Sequence, residues 1–223
     1  MILFENEHFV VIEKRAGWLS IPGRLGKEDP APCEIDYWQK ERNQKLWIVH
    51  RLDREVSGVM CFALSEGAHR AANGWFEKRQ IQKSYQALVE TNRQVGPPPL
   101  GQVKWESRLL RGKKRAYEKP FGKRSVTLAE FVRPYDFHGV SLELWALSPL
   151  TGRSHQLRYE MMKHQRPVWG DVLYGSTQKF PLENGIGLRA VKLSFEKVPE
   201  REKWQLPLSI EAPELTRWLF SRC

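Results

Sequence analysis

Cysteine is scarce in this chain. Cys33, Cys61 and Cys223 stand far apart with no C-x-x-C pair among them. That spacing excludes a disulfide framework and a zinc knuckle and fits a reducing compartment. Long apolar runs are also missing: none approaches the roughly 20 residues a membrane-spanning helix needs. The opening, MILFENEHFVVIEK, lacks a charged segment followed by a long apolar core, so it does not read as a signal peptide. These absences predict a cytoplasmic protein that does not span a membrane. Acidic residues are outnumbered, 26 Asp and Glu against 36 Lys and Arg, giving a net charge of +10. Such an excess points to an anionic partner, either nucleic acid or an acidic membrane surface.

What is present is the composition of an ordinary globular protein, 41% hydrophobic and 28% charged over 223 residues. A chain of this size can bury a sizeable core without a disulfide or metal. Glycines and prolines break it at 17–32 and at 96–101 (GPPPLG). Neither break is long enough for a flexible linker, so residues 1–223 read as one domain, with two lobes meeting near the second break. Phe9 to Ile12 is a short apolar run, and Gly58 to Leu64 is continuously apolar, as in a strand covered on both faces. Val140, Leu142 and Leu144 alternate with polar residues, as do Val191, Leu193 and Phe195, which suits a sheet with one buried face. Helices are expected over Glu66–Arg79, from Ser154 to about Lys163, and over Pro213–Arg222 with Pro213 in its first turn. The pattern predicts an α+β fold with a mixed or antiparallel sheet.

The densest chemistry lies in His50–Gly58, HRLDREVSG. Arg51 and Arg54, with His50 when it is protonated, put three cations around the Asp53 carboxylate. Opposite charges favour its ionised form and make it available as a nucleophile. The same residues would also serve as a surface ion pair in a turn, which is worth little. A kinase catalytic loop is the nearest look-alike. Here Leu52 separates Arg51 from Asp53, and the chain has neither Asp-Phe-Gly nor a glycine-rich phosphate loop.

The second segment, Thr151–Arg158 (TGRSHQLR), joins a strand to a helix. Gly152 allows a tight turn and Ser154 is placed to cap. Arg153, His155, Gln156 and Arg158 then cluster at a helix start, an arrangement that suits a phosphate or carboxylate. It is equally a helix start rich in exposed polar residues. Between these segments, Gln82–Val89 (QKSYQALV) reads as a strand containing Lys83 and Tyr85. Tyr85 is either a core aromatic with its hydroxyl at the edge or a ring that stacks on a base. From Arg111 to Arg124, seven of fourteen residues are Lys or Arg, including Lys113, Lys114 and Arg115 in a row. That stretch suits phosphates and suits a solvated hairpin tip equally well.

Together these segments resemble the RluA-type pseudouridine synthases. That family reads H-R-L-D-x-x-T-S-G where this chain has HRLDREVSG, and K-x-Y-x-A-x-V where it has KSYQALV. It reads T-G-R-[ST]-H-Q-[LI]-R where the chain has TGRSHQLR, followed by a G-D-x-x-Y-G turn, here GDVLYG at 170–175. VVIEKRAGWLS resembles the family's first strand and K-P-x-G turn. The likeness runs in family order from residue 1 to about 198. Three positions depart from the pattern: Val56 for Thr, Arg15 for Pro, and Arg189 where a His commonly stands. Many members carry an S4-type RNA-binding module ahead of the catalytic domain. The match here begins at the first residue, so that module is expected to be absent.

The resemblance implies the pseudouridine-synthase core, a mixed and mostly antiparallel sheet flanked by helices, with a central active-site cleft. It implies isomerisation of uridine to pseudouridine in rRNA or tRNA by a monomer, with no cofactor and no metal. Asp53 matches the family's catalytic carboxylate, which attacks the sugar, stabilises an oxocarbenium-like sugar or removes a proton. Arg158 matches the arginine that pairs with that carboxylate. Tyr85 matches the tyrosine stacked on the target base. Arg51 matches the residue that fills the space left by a flipped nucleotide. His50, Arg54, Lys83, Arg153, His155, Gln156, Lys113, Lys114 and Arg115 are the expected RNA contacts. Two other classes compete. A non-catalytic RNA-binding module that kept the fold would have lost Asp53, Tyr85 or Arg158. A small-molecule glycosidase or nucleosidase expects a second carboxylate, and these motifs offer none.

Overall fold

A computed structural model describes residues 1–23, 31–92 and 94–222. Part of the loop read at 17–32, and Cys223, lie outside the described residues. The elements in chain order are β1 (Ile2–Glu5), β2 (Phe9–Lys14), α1 (Glu34–Arg42), β3 (Trp47–Ile48), β4 (Ser57–Ala63), α2 (Glu66–Glu77), β5 (Gln82–Glu90), β6 (Gln102–Arg111), β7 (Ala116–Glu118), β8 (Lys123–Phe137), β9 (Val140–Pro149), α3 (Gln156–Lys163), β10 (Leu188–Ser194), β11 (Ser209–Glu211) and α4 (Leu215–Phe220). The architecture is α+β, as the interleaving of strand and helix patterns predicts.

The chain forms two compact units. One comprises Met1–Lys83, Glu183–Gly185 and Ala190–Pro213, and the other Ser84–Leu182, Ile186–Arg189 and Glu214–Cys223. The chain first changes unit at Lys83–Ser84, and the GPPPLG stretch lies inside the second unit.

In the first unit β2 pairs antiparallel with both β1 and β4, and β3 also pairs with β4. Every residue of β2 and of β4 is buried; the continuous apolar run of β4 predicts this, and β2 buries Glu13 and Lys14 as well. Phe9, Val11, Val59, Cys61, Trp75, Leu193 and Phe195 share one hydrophobic cluster. Helix α2 covers it with Ala68, Ala72 and Trp75. Its start is fixed by Ser65, whose hydroxyl accepts from the Ala68 N–H. The β2–β4 register sets Lys14 opposite Gly58.

The second unit is an antiparallel run in the order β5, β9, β8, β6, β7. Helix α3 lies on its β6–β8 face. There Ser125 donates to Glu160, and Lys163 donates to Ser107 and pairs with Glu118. Two elements differ from the sequence reading. Helix α4 begins after Pro213, and its first amide, Leu215 N–H, donates to the Gln86 side chain. Strand β9 does not alternate: Glu143 is buried beside Leu142 and Leu144. Its carboxylate is met there by the Arg166 guanidinium and the Trp145 indole N–H. Among the described residues no helix is long and apolar enough to cross a membrane.

Candidate active site

Asp53 stands in the first unit, and Tyr85 and Arg158 stand in the second. Asp53 sits in a turn leading into β4, closed by the Val56 N–H donating to the Asp53 carbonyl at 3.2 Å. Lys14 holds this turn. Its side chain is fully buried, and Nζ donates to the carbonyls of Arg15, Arg54 and Val56 at 2.8, 3.0 and 2.7 Å. Burial pushes the Lys14 ammonium down to about 8, against the opposing pull of Glu34, Glu55 and Asp53. Ser20 grips the other side. Its hydroxyl donates to the Leu52 carbonyl and accepts from the Leu52 N–H. Gly58 closes the motif at φ +111°, with the Ala190 carbonyl oxygen 1.9 Å from where a Cβ would stand. No other residue fits there.

The residues flanking Asp53 divide by role. Arg51 and Arg54 are exposed, and Arg54 Nε donates to the Gly17 carbonyl. His50 turns inward instead. Its Nε2 accepts from the Cys61 N–H at 3.0 Å, and its ring lies against Phe76. Burial, with the charge of Lys83 adding to it, pushes the imidazole down to about 3. The expected third cation beside Asp53 is therefore a neutral ring, and His50 braces β4 through the Cys61 N–H. Lys83 is itself lowered by burial.

In the second unit Tyr85 is buried on β5, opposite Leu147 of β9. Arg158 is 2% exposed, and its Nε and Nη2 donate to the two oxygens of Asp171 at 2.6 and 2.8 Å. A bidentate pair of this kind fixes the plane of the guanidinium. Asp171 belongs to the GDVLYG turn. Tyr174 of the same turn lies under Arg158, with the guanidinium carbon 5.3 Å from the ring centroid. The Tyr174 hydroxyl accepts from the Ala116 N–H and bonds His155 Nδ1.

The start of α3 corrects one expectation. Ser154 does not cap the helix. His155 holds the capping position in left-handed backbone, φ 51°, with no side-chain cap bond. Gln156 does the fastening. Its Oε1 accepts from Thr151 Oγ1 and from the Arg153 N–H, and its Nε2 donates to the Val126 carbonyl and Thr127. Gln156 is buried, and these bonds hold the loop together. Arg153 donates through Nε to the Arg124 carbonyl, tying the loop to β8.

A sequence profile described as RNA pseudouridylate synthase matches residues 8–164. The chain belongs to the RNA pseudouridylate synthase family. It is 35% identical over 218 residues to the dual-specificity RNA pseudouridine synthase RluA of Pasteurella multocida, covering 95% of this chain and 92% of that one. It is 35% identical over 204 residues to the protein of the same name from Escherichia coli, covering 87% and 86%. The fold matches human RNA pseudouridylate synthase domain containing 1 with a TM-score of 0.74 at 22% identity, over 96% of this chain and 82% of that one. As a pseudouridine synthase the protein is an isomerase that converts uridine to pseudouridine in RNA.

Each departure from the family pattern has a structural account. Arg15 replaces proline, and its N–H, which proline lacks, donates to Glu34 Oε1 at 2.8 Å. Its guanidinium donates to the same carboxylate and lies over Trp18 and Tyr37. Val56 is buried in the core beneath the Asp53 turn. Arg189 is fully buried, with its guanidinium carbon 4.5 Å from the Trp218 ring centroid. The sequence reading missed Lys14, Ser20, Asp171 and Tyr174 as builders of the synthase motifs. Asp171 and Tyr174 were visible in GDVLYG as letters without roles. Nothing local in the sequence marks Lys14 as buried.

Proposed function

We propose that Asp53 is the catalytic carboxylate of this pseudouridine synthase, that Arg158 orients it, and that Tyr85 stacks on the target uracil. The reaction breaks the C1′–N1 glycosidic bond, turns the base and forms a C1′–C5 bond; C5 then loses its proton and the freed N1 gains one, which completes the isomerisation. Atoms are conserved and no electrons are gained or lost. A carboxylate beside C1′ either attacks it as the base departs or takes a proton from the sugar. Arg158 suits its role because Asp171 already fixes the Nε and Nη2 edge, which leaves the orientation of the Nη1 edge defined. Arg51, exposed next to the turn, fills the stack when the nucleotide flips out, and flipping costs a few kcal/mol. The exposed residues Arg54, Lys113, Lys114 and Arg115, together with Arg153, hold phosphates.

The observation that carries the assignment of Asp53 is the clamp on its turn. A fully buried ammonium is costly, yet the fold spends two of the three Lys14 hydrogen bonds on the backbone of the turn that carries this carboxylate. We further infer that the targets are uridines in rRNA or tRNA, reached in the cytoplasm by a monomer; the dual-specificity name of the relatives supports more than one kind of RNA site. The test is to map pseudouridine in total RNA from cells carrying the wild-type gene, no gene, or Asp53→Asn. The Asn variant keeps the shape and removes the charge. It should fold and bind RNA while forming no pseudouridine. Turnover within about tenfold of wild type would remove Asp53 from the chemistry.

A further inference from the structure

Strand β6 lies between β7 and β8, so the chain must cross over β6 to pass from one neighbour to the other. It does so in four residues, Lys119–Gly122. The Gly122 N–H donates to the Lys119 carbonyl at 2.8 Å, and the Lys119 N–H donates to the Arg108 carbonyl at 3.0 Å. Gly122 rides directly on the β6 backbone: a Cβ there would meet the Arg108 carbonyl oxygen at 2.4 Å. Pro120 stiffens the second position of the turn. A crossing this tightly built has few conformations, and its one large side chain points outward. Phe121 is 76% exposed.

An exposed phenylalanine on a rigid turn is costly to leave in water, so its setting is informative. Lys119, Lys123 and Arg124 flank it in sequence, and the neighbouring Lys113–Arg115 turn adds three more cations, all exposed. Among the described residues no carboxylate pairs with Lys113, Lys114, Arg115, Lys119 or Lys123. Glu118, the one acid of the stretch, faces α3 and is taken by Lys163. Tyr117 points to the other face of the same short strand and is 41% exposed. The base of this tip is fixed where Ala116 donates to the Tyr174 hydroxyl, the same ring that lies under Arg158.

We propose that Phe121 is a base-stacking platform. It holds an unpaired nucleotide of the RNA away from the nucleotide being isomerised, while the surrounding lysines and arginines hold the adjoining phosphates. An aromatic face ringed by cations suits single-stranded RNA, whose bases have free π-faces and whose backbone is anionic. It does not suit a duplex, whose bases are already stacked on each other, nor an acidic protein surface, which would leave the ring unused. The platform therefore selects RNA that is open beside the target uridine. This inference rests on the chain acting on RNA.

The test compares wild type, Phe121→Ala and Phe121→Trp on a uridine-rich single-stranded RNA of about ten nucleotides, a length within the range of single-strand binding sites, and on a duplex of equal length. Affinity is measured across a salt series. Phe121 buries nothing in the core, so the variants should fold. The Ala variant should lose about tenfold in affinity for the single strand and nothing for the duplex, as expected for one lost stacking contact. Its salt slope should stay that of wild type, because no charge is removed. The Trp variant should bind at least as well as wild type. An Ala variant that binds the single strand like wild type, or that weakens on both RNAs alike, overturns the proposal. Pseudouridine in cellular RNA is scored in parallel: its absence with wild type would overturn the RNA-modifying reading itself, and its presence confines any failure to this surface.

Discussion

His50 is the clearest case of a side chain whose chemistry is set by its surroundings. It stands three residues before Asp53, where a charged imidazole would sharpen the local field. The fold instead spends its Nε2 lone pair on the Cys61 N–H, and Nδ1 has no hydrogen-bond partner among the described residues. The folded value of about 3 lies below the ordinary 6.5. The unfolded chain therefore takes up the proton first as pH falls, and stability drops from about pH 6.5 downward. Urea midpoints at pH 7 and pH 5 should show this loss in wild type. It should be smaller in His50→Gln, whose amide oxygen can still accept from Cys61. Equal pH dependence in the two proteins would show that the ring is charged when folded. Lys14 is the complementary case, a buried charge with three acceptors. Lys14→Met would leave the carbonyls of Arg15, Arg54 and Val56 without that donor. The expected loss is about 3 kcal/mol or more in urea unfolding. A loss under about 1 kcal/mol would mean that the carbonyls find other partners.

Among the elements, those whose pattern reflects one simple environment were legible. Strand β4 is buried on both faces, and from Gly58 onward its sequence is an unbroken apolar run. Strand β9 was misjudged because Glu143 is buried with a matched partner, and the partner, Arg166, lies 23 positions away. The start of α3 was misplaced for a related reason. Ser154 has the chemistry of a cap, but Gln156 reaches back to the Arg153 N–H first, and His155 takes the left-handed turn. The basic β6–β7 turn makes its own prediction. Replacing Lys113, Lys114 and Arg115 with Ala removes three exposed charges that have no carboxylate partner among the described residues. If all three neutralise phosphates, the slope of log affinity against log salt should flatten by about two to three units. The single-turnover rate at saturating RNA should stay near wild type, since Asp53 and Arg158 are untouched. An unchanged slope would make the turn a solvated tip.

At the scale of the molecule, family, fold class and reaction were written in the chain itself. HRLD, TGRSHQLR and GDVLYG are runs of neighbours, and a short run can be read without knowing what packs on it. The net charge of +10 agreed with an anionic substrate for the same reason: charge adds up regardless of fold. The supports of the motifs needed tertiary structure. Asp171 serves Arg158 from 13 positions away, Ser20 serves Leu52 from 32, and Lys14 serves Val56 from 42. The replacement of proline by Arg15 read as a departure until Glu34 appeared beside it. Burial decides whether a lysine is a phosphate contact or a strut and whether a histidine carries charge, because desolvation depends on everything packed around the group. Thus the sequence alone determined the family, fold class and reaction of this protein. Only the folded chain decided that Lys14, His50 and Gln156 would bond to the backbone around the motifs, since each meets partners that chain order keeps apart.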